Sequence, residues 1–145
     1  MKPRVRIAAT RTPDGGEMLL YQHDRDFSIT INGQDLMHSR QHESEQALAR
    51  LGCSHLAGRK APSILIGGLG MGYTLRQALD MLSPHAQVVV GELLGAVVQW
   101  NLEFLGELND QPLGDERVDL KTGDIVELIS RSRNRFDAIL LDVDN

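Results

Sequence analysis

The sequence predicts an α/β protein: a parallel sheet with a cofactor-binding glycine turn, preceded by a small antiparallel β-hairpin region. Three observations predict it. Residues 63–82, SILIGGLGMGYTLRQALDML, pass from a continuous apolar run to a helical repeat across a cluster of glycines. Two later apolar runs, QVVVG and FDAILL, are each followed at once by an acidic residue, Glu92 and Asp142. Ahead of them, residues 4–38 alternate apolar and polar side chains between turn-forming clusters, the period of half-buried strands.

In chain order, Val5 and Ile7 alternate with Arg4 and Arg6 in a first strand. Thr12-Pro13-Asp14-Gly15-Gly16 supplies a turn. Met18, Leu19, Leu20 and Tyr21 make a second strand; Phe27, Ile29 and Ile31, alternating with Ser28 and Thr30, make a third. Asn32-Gly33 is a two-residue connection of the kind that needs positive φ, so residues 34–37 return as a short fourth strand. So small a sheet is expected to pack on the following domain or on another subunit, and a homo-oligomer is expected. Residues 39–45 are polar, after which Ala47, Leu48 and Leu51 give a helical stripe that Gly52 should stop. His38 and His42, four apart, can share a helix face; no third ligand is in view, so a polar helix start is favoured and no metal is expected.

Ile64, Leu65 and Ile66 suit a parallel strand covered on both faces. Gly67, Gly68, Gly70 and Gly72 crowd the turn after it, and Leu75, Ala78, Leu79 and Leu82 then mark one face of a helix. Glycine admits positive φ and lets a ligand lie against bare backbone, and the helix start adds unpaired N–H groups and partial positive charge. The pattern is weaker than a full dinucleotide fingerprint, which needs a third glycine three residues on. Residues 87–91 form the second buried strand. Glu92 ends it, roughly 20 residues past the turn, where an acid can accept from both ribose hydroxyls; a solvated loop acid is the plainer alternative.

Leu94, Val98, Leu102 and Leu105 predict a helix over residues 94–106, with Trp100 packing and residues 109–116 forming a polar loop. Val118, Leu120 and Thr122 read as a strand ending at Gly123-Asp124, and Ile125, Leu128 and Ile129 open another helix. Asp124 suits a helix cap and also stands where an adenine amino group could bind. Arg131, Arg133 and Arg135 read as a solvated basic helix end. A fourth strand, residues 136–141, delivers Asp142 and Asp144 beside the glycine turn; two acids there favour a functional role.

Composition narrows the class. At 145 residues, 41% apolar and 24% charged, the chain is a globular protein of ordinary domain size. A net charge of −5 argues against nucleic-acid binding. No run is long enough for a membrane span, and MKPRVRIAAT has no secretory apolar core. With Cys53 as the single cysteine, a cytoplasmic protein is expected.

ILIGGLGMGYTLRQAL, VVVGELLGAVVQWN, GDIVELI and FDAILLDVDN, in this order and spacing, resemble the spermidine synthase family. The likeness covers residues 63–145 and reaches back to INGQDLMHSRQHESE, similar to that family's β-hairpin domain and the Gln/His/Glu segment after it. The resemblance implies aminopropyltransferase activity on the class I S-adenosylmethionine-dependent methyltransferase fold, with a Rossmann-like sheet. It implies that the turn of Gly67, Gly68, Gly70 and Gly72 holds the methionine part of S-adenosylmethionine or its decarboxylated form. Glu92 would take the ribose hydroxyls, and Gly123 with Asp124 the adenine edge. Asp142 would orient and deprotonate a small-molecule amine substrate, and Asp144 would bind its cationic end. The expected organisation is residues 1–38 as the β region, 39–62 as helix and linker, and 63–145 as a partial cofactor-binding domain, truncated after its fourth strand because the family's chain continues further.

The departures open other readings. The family usually carries aspartate where Gly70 stands, against the amine end of the decarboxylated donor; glycine there lets intact S-adenosylmethionine fit. Its usual strand end, Asp-x-x-Asp-Pro, is here Asp142-Val143-Asp144-Asn145, and the acid that usually follows Glu92 is absent. Aminopropyl transfer to a polyamine is the first reading. Methyl transfer to another acceptor is the second, and a non-catalytic nucleoside-binding or assembly module the third.

Overall fold

Alternation in the amino-terminal segment becomes an antiparallel meander of β1 (Val5–Arg11), β2 (Glu17–His23), β3 (Asp26–Ile31) and β4 (Gln34–His38), paired in sequence order. The computed structural model describes residues 3–132 and 135–142. They fall in two compact units, Met1–His42 and Glu43–Asn145. Asn32 and Gly33 take φ of 49° and 80°, and Ile31 faces Gln34 across the connection, as the sequence predicts. Asn32 also braces the neighbouring turn, its Oδ1 accepting from the Glu17 N–H at 2.9 Å. Leu20 and Ile29 pair across β2 and β3 and are fully buried. His38 closes β4, and its Nδ1 accepts from the Arg40 N–H at 3.2 Å. It therefore lies on no helix, and the shared helix face expected for His38 and His42 is not formed.

The second unit carries β5 (Ser63–Gly67), β6 (Gln87–Glu92), β7 (Val118–Thr122) and β8 (Ala138–Leu141), all parallel, in the order β7-β6-β5-β8. Ile64, Leu65, Ile66, Val88, Val89 and Val90 fill its centre and are almost wholly buried; each contributes roughly 1.5–3 kcal/mol by leaving water. β8 starts later than its apolar run suggests because Asp137 ends the loop: its Oδ2 accepts from the Ser63 N–H at 2.8 Å.

Helix α1 (Glu43–Cys53) corrects two expectations. Its buried residues are Ala49 and Cys53, whereas Leu51 is 80% exposed. Gly52 does not stop it: a Cβ there would lie 2.0 Å from Leu140 Cδ2, so the missing side chain lets α1 press against β8. Helix α2 (Tyr73–Met81) buries Leu75, Ala78 and Leu79 as predicted. Helix α3 (Gly95–Trp100) runs on through a π-helical turn (Asn101–Leu105) and a 3-10 turn (Gly106–Asn109). The wider π turn moves the buried face to Val97, Trp100, Asn101 and Leu105, leaving Leu102 exposed. Helix α4 (Ile125–Arg131) is capped by Asp124, whose Oδ1 accepts from the Val126 N–H at 2.9 Å. Among the described residues, no helix is long and apolar enough to cross a membrane.

Candidate active site

From β5 the chain moves outward to β6 and β7, then returns past β5 to lay down β8 on the other side. Ligands of open α/β sheets bind beyond the carboxyl ends of the strands at such a reversal. Here the two strand ends are joined directly: the Asp142 N–H donates to the Gly67 carbonyl at 2.7 Å. The glycine turn and the first acid after β8 thus meet at one place.

Each glycine of the turn has its own reason. Gly68, Gly70 and Gly72 take φ of 97°, 54° and 90°, where an L side chain costs roughly 1–2 kcal/mol. Gly67 is required by packing, since a Cβ would sit 2.7 Å from Ile125 Cγ1 and 3.0 Å from Leu141 Cδ2. Gly72 opens α2, and its N–H donates to the Leu69 carbonyl at 2.9 Å.

Glu92 is 8% exposed, so it is no solvated loop acid. Its Oε1 accepts from the Leu69 N–H at 2.9 Å and its Oε2 from the Leu94 N–H at 3.0 Å. The carboxylate thereby ties the glycine turn to the start of α3. A carboxylate has about four acceptor positions, so two backbone bonds leave capacity for ligand hydroxyls. The Gly123 N–H donates to the Glu92 carbonyl at 2.9 Å, which brings the β7 end to the same crevice. Beside Asp124 lies a groove of about 390 Å³, lined also by Thr122, Gly123 and Leu128. Asp142 is half-buried, and its Oδ2 accepts from Thr74 Oγ1 at 2.9 Å. Asp144 lies outside the described residues. Among the described residues no group of three or more His, Cys, Asp or Glu is arranged to hold a metal ion.

Three residues of the site escaped the sequence reading. Thr74, 1% exposed, aims Asp142 from the first turn of α2. Asn101 donates through Nδ2 to the Gly70 carbonyl at 2.8 Å and to the Val97 carbonyl at 2.8 Å. Asn109 donates through Nδ2 to the Met71 carbonyl at 3.0 Å. The available signal was Asn101 standing four residues from both Val97 and Leu105, a polar residue on an apolar stripe.

No protein-family model matches the chain. Over 80 residues it is 34% identical to a polyamine aminopropyltransferase of Thermoanaerobacter sp. strain X514, a stretch covering 55% of this chain and 28% of the relative. Over 81 residues it is 32% identical to that of Saccharolobus solfataricus, covering 56% of this chain and 27% of the relative. The spermidine synthase of Thermotoga maritima superposes on 97% of the chain with TM-score 0.78 at 19% identity. The chain shares the spermidine synthase fold. A spermidine synthase in complex with the transition-state analogue AdoDATO gives TM-score 0.77 over 94% of the chain at 18% identity. In both structures the chain spans 47% of the neighbour's length. The Rossmann-like sheet and the antiparallel region before it are therefore those of spermidine synthases, as the sequence resemblance implies.

Proposed function

We propose that the chain carries the nucleoside-binding and proton-accepting half of an aminopropyltransferase, taking decarboxylated S-adenosylmethionine and a polyamine as substrates. The observation that supports it most is the meeting of a positive-φ glycine turn, a buried strand-end carboxylate at Glu92 and a second carboxylate at Asp142 around one sheet reversal. The relatives, polyamine aminopropyltransferases, add the reaction class.

In this reading the turn seats the sulfonium compound, Glu92 accepts from its ribose hydroxyls and Asp124 faces the adenine. An alkylammonium has a pKa of about 10, so the attacking amine arrives protonated. Asp142, oriented by Thr74, accepts its proton and holds it in line with the carbon bonded to sulfur. The amine lone pair forms the new N–C bond as the C–S bond breaks. The bonding pair of the broken C–S bond stays on sulfur, giving a neutral thioether nucleoside. Asp144 would take the cationic end of the acceptor.

Incubation with putrescine and the decarboxylated donor, read by mass spectrometry, should yield spermidine and methylthioadenosine. Asp142→Asn should lower turnover at least 100-fold while methylthioadenosine still binds; equal losses in both would overturn this division of labour. Gly70 favours a second reading, methyl transfer from intact S-adenosylmethionine, because no carboxylate stands at that position to meet an amine or repel a carboxylate. Calorimetry with the intact and decarboxylated compounds separates the two.

A further inference from the structure

Asn101 and Asn109 reach the glycine turn from the irregular segment after α3, and what they grip decides which way the turn presents its amides. Both are buried, at 3% and 7% exposure, and their side-chain NH2 groups hold the Gly70 and Met71 carbonyls. In a planar trans peptide the C=O and the following N–H point in opposite directions. Holding the Gly70 carbonyl against Asn101 therefore turns the Met71 N–H away from the 101–109 segment. Holding the Met71 carbonyl against Asn109 turns the Gly72 N–H likewise, and that N–H is satisfied by the Leu69 carbonyl at 2.9 Å. The Met71 N–H has no acceptor among the described residues, although Met71 is only 5% exposed. A backbone N–H normally finds an acceptor. Asp110 and Gln111, just beyond Asn109, take φ of 54° and 51°, unusual for residues with side chains.

We infer that Asn101 and Asn109 are positioning residues that fix the peptide planes of the glycine turn and so aim the Met71 N–H at an acceptor oxygen of the bound nucleoside compound. The aim at a nucleoside rests on the proposed function; the clamp itself does not. Glycine at 70 makes the clamp necessary, since a residue without Cβ lets its peptide plane turn over at little cost. The acceptor oxygen comes from the ribose or from an amino-acid carboxylate, and methylthioadenosine and S-adenosylhomocysteine, which differ in that carboxylate, tell the sources apart.

The test uses the whole chain, 15N-labelled. Asn101→Asp keeps the side-chain shape and removes the donor. It should shift the Met71 amide resonance and speed exchange of the residue 68–73 amides at least tenfold more than that of the β5 and β6 amides. The thermal midpoint should fall by the few degrees expected when the Gly70 and Val97 carbonyls lose that side-chain donor. Methylthioadenosine affinity should fall at least tenfold. Asn109→Ser, which shortens the side chain beyond reach, should loosen the same amides, and serves if Asn101→Asp does not fold. Unchanged exchange in the turn, or an equal rise throughout residues 43–142, would overturn the clamp. A wild-type chain that binds neither compound, with exchange changing as expected, would overturn the nucleoside reading and leave the clamp standing.

Discussion

Glu92 concentrates two duties in one side chain. Gln has the same size but presents an NH2 where Glu92 offers an acceptor to either the Leu69 or the Leu94 N–H. Glu92→Gln should cost about 1–3 kcal/mol in urea unfolding, the usual penalty of a buried donor without its acceptor, and should also weaken nucleoside binding by calorimetry. A purely ligand-directed role would leave stability unchanged. Gly72→Ala tests the turn from another side. A Cβ there would meet Pro112, Asn109 and Asn101 atoms at 3.4–3.6 Å, ordinary contact, so the expected loss of about 1–2 kcal/mol comes from the φ of 90° alone. At this scale the sequence was legible where chemistry is spelled by unusual residues: glycines in a row, an acid after a buried strand. It was silent on Thr74 and Asn109, which are common residues made important by what the fold lays against them.

Among the elements, the end of α2 shows how a polar stretch that reads as a loop can hold structure. Arg117 donates through one terminal nitrogen to the carbonyls of Leu79, Leu82 and Ser83 at 2.9–3.2 Å, capping that helix. Asp115 grips the same guanidinium at 2.8–2.9 Å, which holds the Asp115 carboxyl down to about 2 from its ordinary 3.8. Because the folded value lies below the unfolded one, the contribution is complete above about pH 4 and is lost as pH falls toward 2. Asp115→Asn should therefore destabilise by about 1 kcal/mol at pH 7, discounted for partial exposure, and by progressively less below pH 4. Urea midpoints at pH 7, 4 and 2.5 measure this. Helix α2 was legible because four apolar residues kept a strict spacing. Helix α3 was not, because a π turn inserts an extra residue into the repeat. Helix α1 misled because Gly52, which looks like a terminator, serves close approach to Leu140 instead.

Across the whole molecule, the order of the parallel strands makes the site, and its use should be visible as linkage. A ligand at 100 times its dissociation constant stabilises by about 2.7 kcal/mol. In a chain of this size that corresponds to a rise of roughly 5–10 °C in the thermal midpoint. Methylthioadenosine should give such a rise and slow amide exchange in residues 68–73, 92–94 and 123–125 while leaving residues 5–38 unaltered. The sheet was legible from its apolar runs, whereas the strand order β7-β6-β5-β8 came from the structure. Asp142 was expected beside the glycine turn, but the hydrogen bond that joins it to Gly67 was not legible, because it depends on the register of strands 74 residues apart in sequence.

β8 pairs with β5 along one side, and its Ile139 and Leu141 are 44% and 51% exposed. Among the described residues no strand pairs with its other side, and a strand margin of that kind recruits other polypeptides into ribbons. Concentrated stocks of this chain should accordingly turn cloudy on standing, and light scattering should show the onset rising steeply with concentration. Ile139→Lys, which plants a charge on that margin, should delay it without moving the melting point by more than a few degrees.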